Sequence, residues 1–130
     1  MKGLDTNILV RFYAQDDPQQ CRKIDKFLQT LSPESPGFVS LVSLIEMVWV
    51  LRSQYRLKKP EMIKIVETLL DSPEMMVENQ TVVALALRRF SQFKTDFADC
   101  LIERSGAVAG CDETVTFDAN ASRFAGMRLL

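Results

Sequence analysis

Four carboxylates lie where short apolar stretches hand over to helical segments. They are Asp5 after Gly3-Leu4, Glu46 in Leu44-Ile45-Glu46-Met47-Val48, Asp99 in Phe97-Ala98-Asp99-Cys100-Leu101-Ile102, and Asp118 after Val115-Thr116-Phe117. Each has a purely structural reading. Asp5 and Asp118 suit N-caps or Asx turns. Ser43-Leu44-Ile45-Glu46 spells a capping box in which Glu46 returns to the Ser43 amide, and Asp96-Phe97-Ala98-Asp99 permits the same one helix later. The joint reading is chemical. In an open parallel sheet, ligands bind at the carboxyl ends of the strands. Asp5 and Asp118 fall at such ends, and Glu46 and Asp99 fall in first helical turns that point to the same edge. Four carboxylates in one crevice repel one another and take up protons unless something compensates them. Helix N-termini offset at most roughly 1–2 kcal/mol each, and a hard divalent cation offsets much more. Mg²⁺ or Mn²⁺ takes oxygen ligands and keeps several waters, which suits an all-carboxylate site. Such an ion activates water and stabilises a leaving oxygen, the usual equipment for phosphodiester hydrolysis.

The rest of the composition narrows the chemistry. The chain has no histidine. That excludes a Ser-His-Asp triad, a Cys-His pair, histidine-ligated zinc and an imidazole base. Cys21, Cys100 and Cys111 are odd in number and lack C-x-x-C spacing, so they read as reduced, mostly buried thiols of a cytoplasmic protein. The net charge is −1, so contact with nucleic acid must come from a local site rather than a bulk positive field. The one basic bias is Arg52, Arg56, Lys58, Lys59 and Lys64, either a solvated surface or a phosphate-facing rim. Arg88-Arg89 read as solvated, though arginines beside a cleft can hold phosphate.

The elements that must position these acids follow from periodicity and breakers. The 130 residues fit one domain, 1–130. With 47% hydrophobic and 25% charged residues, the composition is that of a soluble globular chain, not a disordered one. The longest apolar run, Leu41–Leu51, is broken by Ser43 and Glu46 and falls well short of the ~18 residues of a membrane span. The acid right after Met1-Lys2-Gly3-Leu4 argues against a signal peptide. Met1–Leu4 reads as a strand, followed by a turn and a helix. Asp17-Pro18-Gln19-Gln20 opens a second helix, with Asp17 as N-cap and Gln20 at N3. Phe38-Val39-Ser40 is a buried strand. Ser43 starts a strongly apolar helix to about Tyr55, with Trp49, Met47 and Val48 expected to be buried and part of the face in a dimer. Pro60 opens the next helix, which Asp71-Ser72-Pro73 stops. Met75–Val77 is a strand, and residues 80–93 are helical. Thr95 or Asp96 caps a helix that Gly110 ends, Thr114–Phe117 is a strand, Asn120–Phe124 a short helix and Met127–Leu130 a last strand. Short apolar strands alternating with helices predict an α/β fold, a three-layer α/β/α sandwich around a central, mostly parallel sheet.

These stretches resemble the PIN-domain family, and within it the VapC-type toxin ribonucleases of bacteria. The resemblance rests on Gly3-Leu4-Asp5-Thr6-Asn7, Ser43-Leu44-Ile45-Glu46-Met47-Val48-Trp49-Val50-Leu51, Asp96-Phe97-Ala98-Asp99-Cys100-Leu101-Ile102 and Val115-Thr116-Phe117-Asp118, followed by Phe124-Ala125-Gly126. It covers essentially the whole chain. It implies a PIN-like α/β/α fold and a Mg²⁺- or Mn²⁺-dependent endoribonuclease acting on RNA. It also implies a homodimer and a cognate DNA-binding antitoxin that lays a basic segment over the acidic site. Carried across, Asp5, Asp99 and Asp118 resemble metal ligands and Glu46 a ligand or a supporting carboxylate. Asn7 and Thr116 resemble supporting polar groups, and Asn120 stands where some relatives carry another acid.

Rival readings differ at single positions. A haloacid-dehalogenase-type phosphatase needs an acid two residues after the first aspartate, where this chain has Asn7. A receiver domain needs an aspartate near mid-chain, and there is none between Asp25 and Asp71. A catalytically silent PIN-like interaction module has no need to keep all four acids. Within the third motif, Asp96 is expected to be the N-cap, turned back onto the amides of residues 98 and 99, leaving Asp99 to face the metal.

Overall fold

Strands of two or three residues alternate with helices throughout the computed structural model, which describes residues 1–130. The chain divides into two compact units, Met1–Glu78 and Asn79–Leu130. The first contains β1 (Lys2–Gly3), α1 (Thr6–Ala14), α2 (Pro18–Leu28), β2 (Gly37–Val39), α3 (Leu41–Ser53), α4 (Lys59–Asp71) and β3 (Met75–Val77). Its sheet has the order β1-β2-β3 with both pairings parallel, Gly3 opposite Phe38 and Val39 opposite Val77. The central strand is the crowded one. A Cβ on buried Gly37 would come within 2.9 Å of Leu4 Cδ1 and 3.0 Å of Leu31 Cδ1, so glycine lets both leucines close over the sheet. Leu4, Leu9, Leu44, Met47, Leu51, Met62, Val66 and Leu69 are buried in this unit. Each large apolar side chain so placed contributes roughly 1.5–3 kcal/mol.

Helix starts in this unit follow the sequence signals, with two corrections. Asp17 caps α2 by accepting from the Gln20 amide at 3.0 Å, with Pro18 in the first turn. Gln20 does not close the box. Its Oε1 accepts instead from Arg11 Nε at 3.0 Å, and Arg11 also reaches Asp16 and the Tyr55 hydroxyl, tying α1 to the residues that follow α3. The other correction is α3, which starts at Leu41 rather than Ser43. Ser40 is its N-cap and accepts from the Ser43 amide at 3.1 Å. Met47 and Val48 are buried as expected, but Trp49 is 64% exposed. Leu44, Met47, Val48 and Leu51 already fill the inward side of α3, and an apolar residue on the remaining side is not thereby forced inward.

The second unit contains α5 (Gln80–Gln92), α6 (Phe97–Ala109), β4 (Val115–Thr116), α7 (Ala119–Phe124) and β5 (Arg128–Leu129). α5 packs against α6, with Phe90 and Phe97 meeting edge to face at 5.6 Å. Gly110 ends α6 at φ 98°, a left-handed position that favours glycine. β4 and β5 pair in parallel, Thr116 opposite Leu129, and Arg128 forks onto the Glu113 carboxylate. Cys21 and Cys100 are buried and Cys111 is exposed, all three as free thiols. No helix is long and apolar enough to cross a membrane.

Candidate metal centre

In the first unit, Asp5 stands where β1 ends and α1 begins. Its backbone is extended, at φ −75° and ψ 157°, and it occupies the N-cap position, yet its side chain caps nothing. The carboxylate is exposed, with both oxygens open. The next residue, buried Thr6, donates its hydroxyl to Glu46 Oε2 at 2.9 Å. This bond spans forty positions in the chain and is made possible by the packing of α1 on α3. Glu46 therefore lies in the second turn of α3 and is positioned by Thr6, not by a capping box with Ser43. The early start of α3 causes the difference, because it moves Glu46 beyond the turn whose amides a capping side chain can serve. Thr6 was missed from the sequence, where its only signal was a hydroxyl directly after a candidate acid. Asn7 is exposed in the first turn of α1 and lines a shallow groove with Arg11, Gln20 and Lys23.

In the second unit, Asp99 feels the charges of Asp96 and Asp118. Asp99 lies in the first turn of α6 and is half-buried. Burial first, and then the charges of Asp96 and Asp118, hold its carboxyl above the ordinary aspartate range. Asp96 is the N-cap of α6 by position, but its side chain makes no capping hydrogen bond. This corrects the expectation that it turns back onto the amides of residues 98 and 99. The carboxylate is exposed, and an exposed acid exchanges a bond to water for a bond to an amide with little net gain.

Asp118 is the N-cap of α7, and the structural and chemical readings coexist in it. Its Oδ1 accepts from the amides of Asn120 at 2.8 Å and Ala121 at 3.1 Å, which leaves Oδ2 outside the cap. Thr116 supports it from behind, its Oγ1 accepting from the Asp118 amide at 3.0 Å. Asn120 is no substitute acid, since its side-chain amide donates to the Lys94 carbonyl at 3.4 Å.

Within the second unit the candidate donors are all oxygen, with an exposed Asp96, an Oδ2 of Asp118 outside the cap and an Asp99 crowded by like charge. That chemistry fits a hard divalent cation. No three acidic or cysteine side chains stand together at ligating distance in this structure. The PIN domain family model matches residues 3–127. A VapC ribonuclease of Aquifex aeolicus (strain VF5) is 29% identical over 118 residues, which cover 90% of this chain and 87% of that protein.

Proposed function

The chain belongs to the PIN-domain family, and from that premise we propose that it is a Mg²⁺- or Mn²⁺-dependent endoribonuclease, the toxin of a toxin–antitoxin pair. Residues 1–130 act as one nuclease domain, with Asp5, Asp99 and Asp118 as metal ligands and Glu46 as the fourth catalytic carboxylate. The name of the Aquifex relative supports the choice of RNA as substrate. The observation that carries the reading is Asp99, a half-buried acid in the first turn of α6 that feels the charges of Asp96 and Asp118. A chain selected for stability alone has no use for that arrangement, and a cation makes it favourable.

Asp5, Asp99 and Asp118 would hold the divalent cation, which would supply an activated water and charge neutralisation at the leaving oxygen. The protein's own groups have separate tasks. Thr6 fixes the direction of Glu46 through its hydroxyl. The cap at α7 fixes Asp118 through Oδ1 and presents Oδ2. Asp5 and Asp99 stand at the starts of α1 and α6. Thr116 supports the Asp118 backbone, and Asn7 and Asp96 are polar neighbours available to solvent and substrate. In the cell the protein works in the cytoplasm as a homodimer, silenced by a cognate antitoxin.

The test is cleavage of total RNA by the purified chain with Mg²⁺ or Mn²⁺, compared with the same reaction in chelator. Cleavage is expected only with metal. Asp5→Asn and Asp118→Asn should each lower the rate by several orders of magnitude. Asp118→Asn should keep the fold, because asparagine caps about as well as aspartate. Equal cleavage in chelator defeats the metal mechanism. No cleavage under any condition leaves the interaction module as the better reading.

A further inference from the structure

Arg88, Arg89 and Arg104 line one groove of the second unit together with Gln92, Glu103 and Gly126. Their charges do not balance. Glu103 is taken by its neighbour Arg104, which forks onto it through Nε and, at 2.7 Å, through Nη2. Arg88 and Arg89 remain as surplus cations. Arg89 is also held still: its Nε donates to the Phe124 carbonyl at 2.7 Å, and its guanidinium lies 4.3 Å from the centre of the Phe93 ring. Both contacts leave the terminal nitrogens uncommitted. Gly126 lies beside them, and its φ of 86° is what favours glycine there, since a Cβ would stand at an ordinary 3.8 Å from Arg89 Nη2. A guanidinium fixed along one edge and open at its terminal pair is prepared to accept an oxyanion through two parallel hydrogen bonds. Arg88, exposed on the adjacent position of α5, supplies a mobile second cation.

The groove shares α6 with Asp99. Glu103 stands four residues after Asp99 on one face of α6, about 6 Å further along its axis. Gly126 follows α7, the helix that Asp118 caps. We infer that this groove holds a backbone phosphate of the RNA, close to the bond that is cut, with Arg89 as the fixed fork and Arg88 as the second cation. The inference rests on the ribonuclease reading. Arg88 and Arg89 are positioning residues, since they touch the substrate away from the reacting atoms. An acidic peptide could also fill such a fork; RNA is chosen because the groove shares α6 with Asp99 and reaches the end of α7, which Asp118 caps, these being acids of the ribonuclease reading, and binding to polyglutamate tests the peptide.

The experiment measures binding of a short single-stranded RNA in chelator over a range of salt, followed by cleavage kinetics with metal. Arg88→Ala should weaken binding several-fold and reduce the slope of log K against log salt by about 0.7, the value of one lost phosphate contact on a single strand. Arg89→Lys keeps the charge but loses the fork, so affinity should fall with the slope little changed. In cleavage, the loss should fall on KM rather than kcat, and inorganic phosphate should compete with RNA for the wild type more than for Arg88→Ala. Thermal melting identifies any variant that fails to fold, and Arg88 is exposed enough for that control to pass. If the wild type cleaves RNA while Arg88→Ala and Arg89→Lys match it in affinity, slope and KM, the groove assignment is wrong and the ribonuclease reading stands. If Arg88→Ala instead loses binding to polyglutamate and keeps its RNA affinity, the groove belongs to an acidic protein partner. If the wild type neither binds nor cleaves RNA, the ribonuclease reading fails and the groove assignment fails with it.

Discussion

Asp99 carries the largest electrostatic burden of any acid in the candidate site, and a single amide substitution exposes it. Its raised carboxyl means that the folded chain holds the proton more tightly than the unfolded chain does. Stability from this group is therefore fully present below the ordinary aspartate range and is lost as pH rises through the raised value. In chelator at pH 7, Asp99→Asn should melt above the wild type. The difference should shrink on acidification below the ordinary aspartate range, where the wild-type carboxyl is itself protonated. A lower melting temperature for Asp99→Asn in chelator would identify Asp99 as a structural cap. Thr95, just before the α6 N-cap, offers a second test at this scale. Its Oγ1 is buried without a hydrogen-bond partner, and such a group costs about 1–3 kcal/mol. Thr95→Val, nearly equal in shape, should raise the melting temperature by a few degrees; a clear fall would mean that the hydroxyl is used. The division of labour between Asp96 and Asp99 was only half legible from residue types. Position three of the helix was readable, but whether an exposed N-cap acid bonds its amides or water depends on a balance of about 1 kcal/mol that sequence does not display.

The elements carry their own consequences, because two of them aim acids. Leu4 precedes Asp5 and is one of the side chains that would meet a Cβ on Gly37. Gly37→Ala should therefore destabilise by about 1–3 kcal/mol through overpacking, and it should lower cleavage beyond what lost stability explains, since the leucine that yields is joined to a candidate ligand. Chemical denaturation and rates well below the melting temperature separate the two effects. Thr6→Val removes the hydroxyl that holds Glu46 and should cost roughly 10–100-fold in activity or metal affinity, the usual effect of losing a partner that orients a ligand. Unchanged activity in Thr6→Val would mean that Glu46 orients itself. Most elements were legible because their signals are local: Pro18 and Asp17 at α2, Gly110 at the end of α6, and the Met75–Val77 run, which appears as β3 with those bounds. The start of α3 was not. Ser40 and Ser43 are both competent caps three residues apart in sequence, and the choice is made by β2, which must end at Val39 to pair with Val77. The Thr6–Glu46 bond was invisible for a related reason: it joins helices whose packing no local pattern announces.

For the molecule as a whole, the acids that repel one another without metal should make folding and metal binding reinforce each other. An ion that binds only the folded chain adds about 2.7 kcal/mol at one hundred times its dissociation constant. Mg²⁺ or Mn²⁺ should therefore raise the melting temperature of the wild type, and raise it less in Asp99→Asn; equal shifts in the two proteins would remove Asp99 from the ligand set. At this scale the sequence revealed the α/β class and the parallel pairing, because buried parallel strands read as apolar runs. It did not tell which side of α3 stays uncovered within the single chain, because an apolar helix shows its composition and not which face the neighbouring elements leave open; Trp49 lies on that side. That exposed indole has a practical consequence. It is the only tryptophan in the chain, and with 64% of its surface in water its emission should already lie near that of free indole in the native state. Unfolding should then shift the emission wavelength very little, so denaturation is better followed by circular dichroism. The same indole becomes a background-free optical reporter, because a blue shift on titration would signal that a second copy or another protein has covered α3.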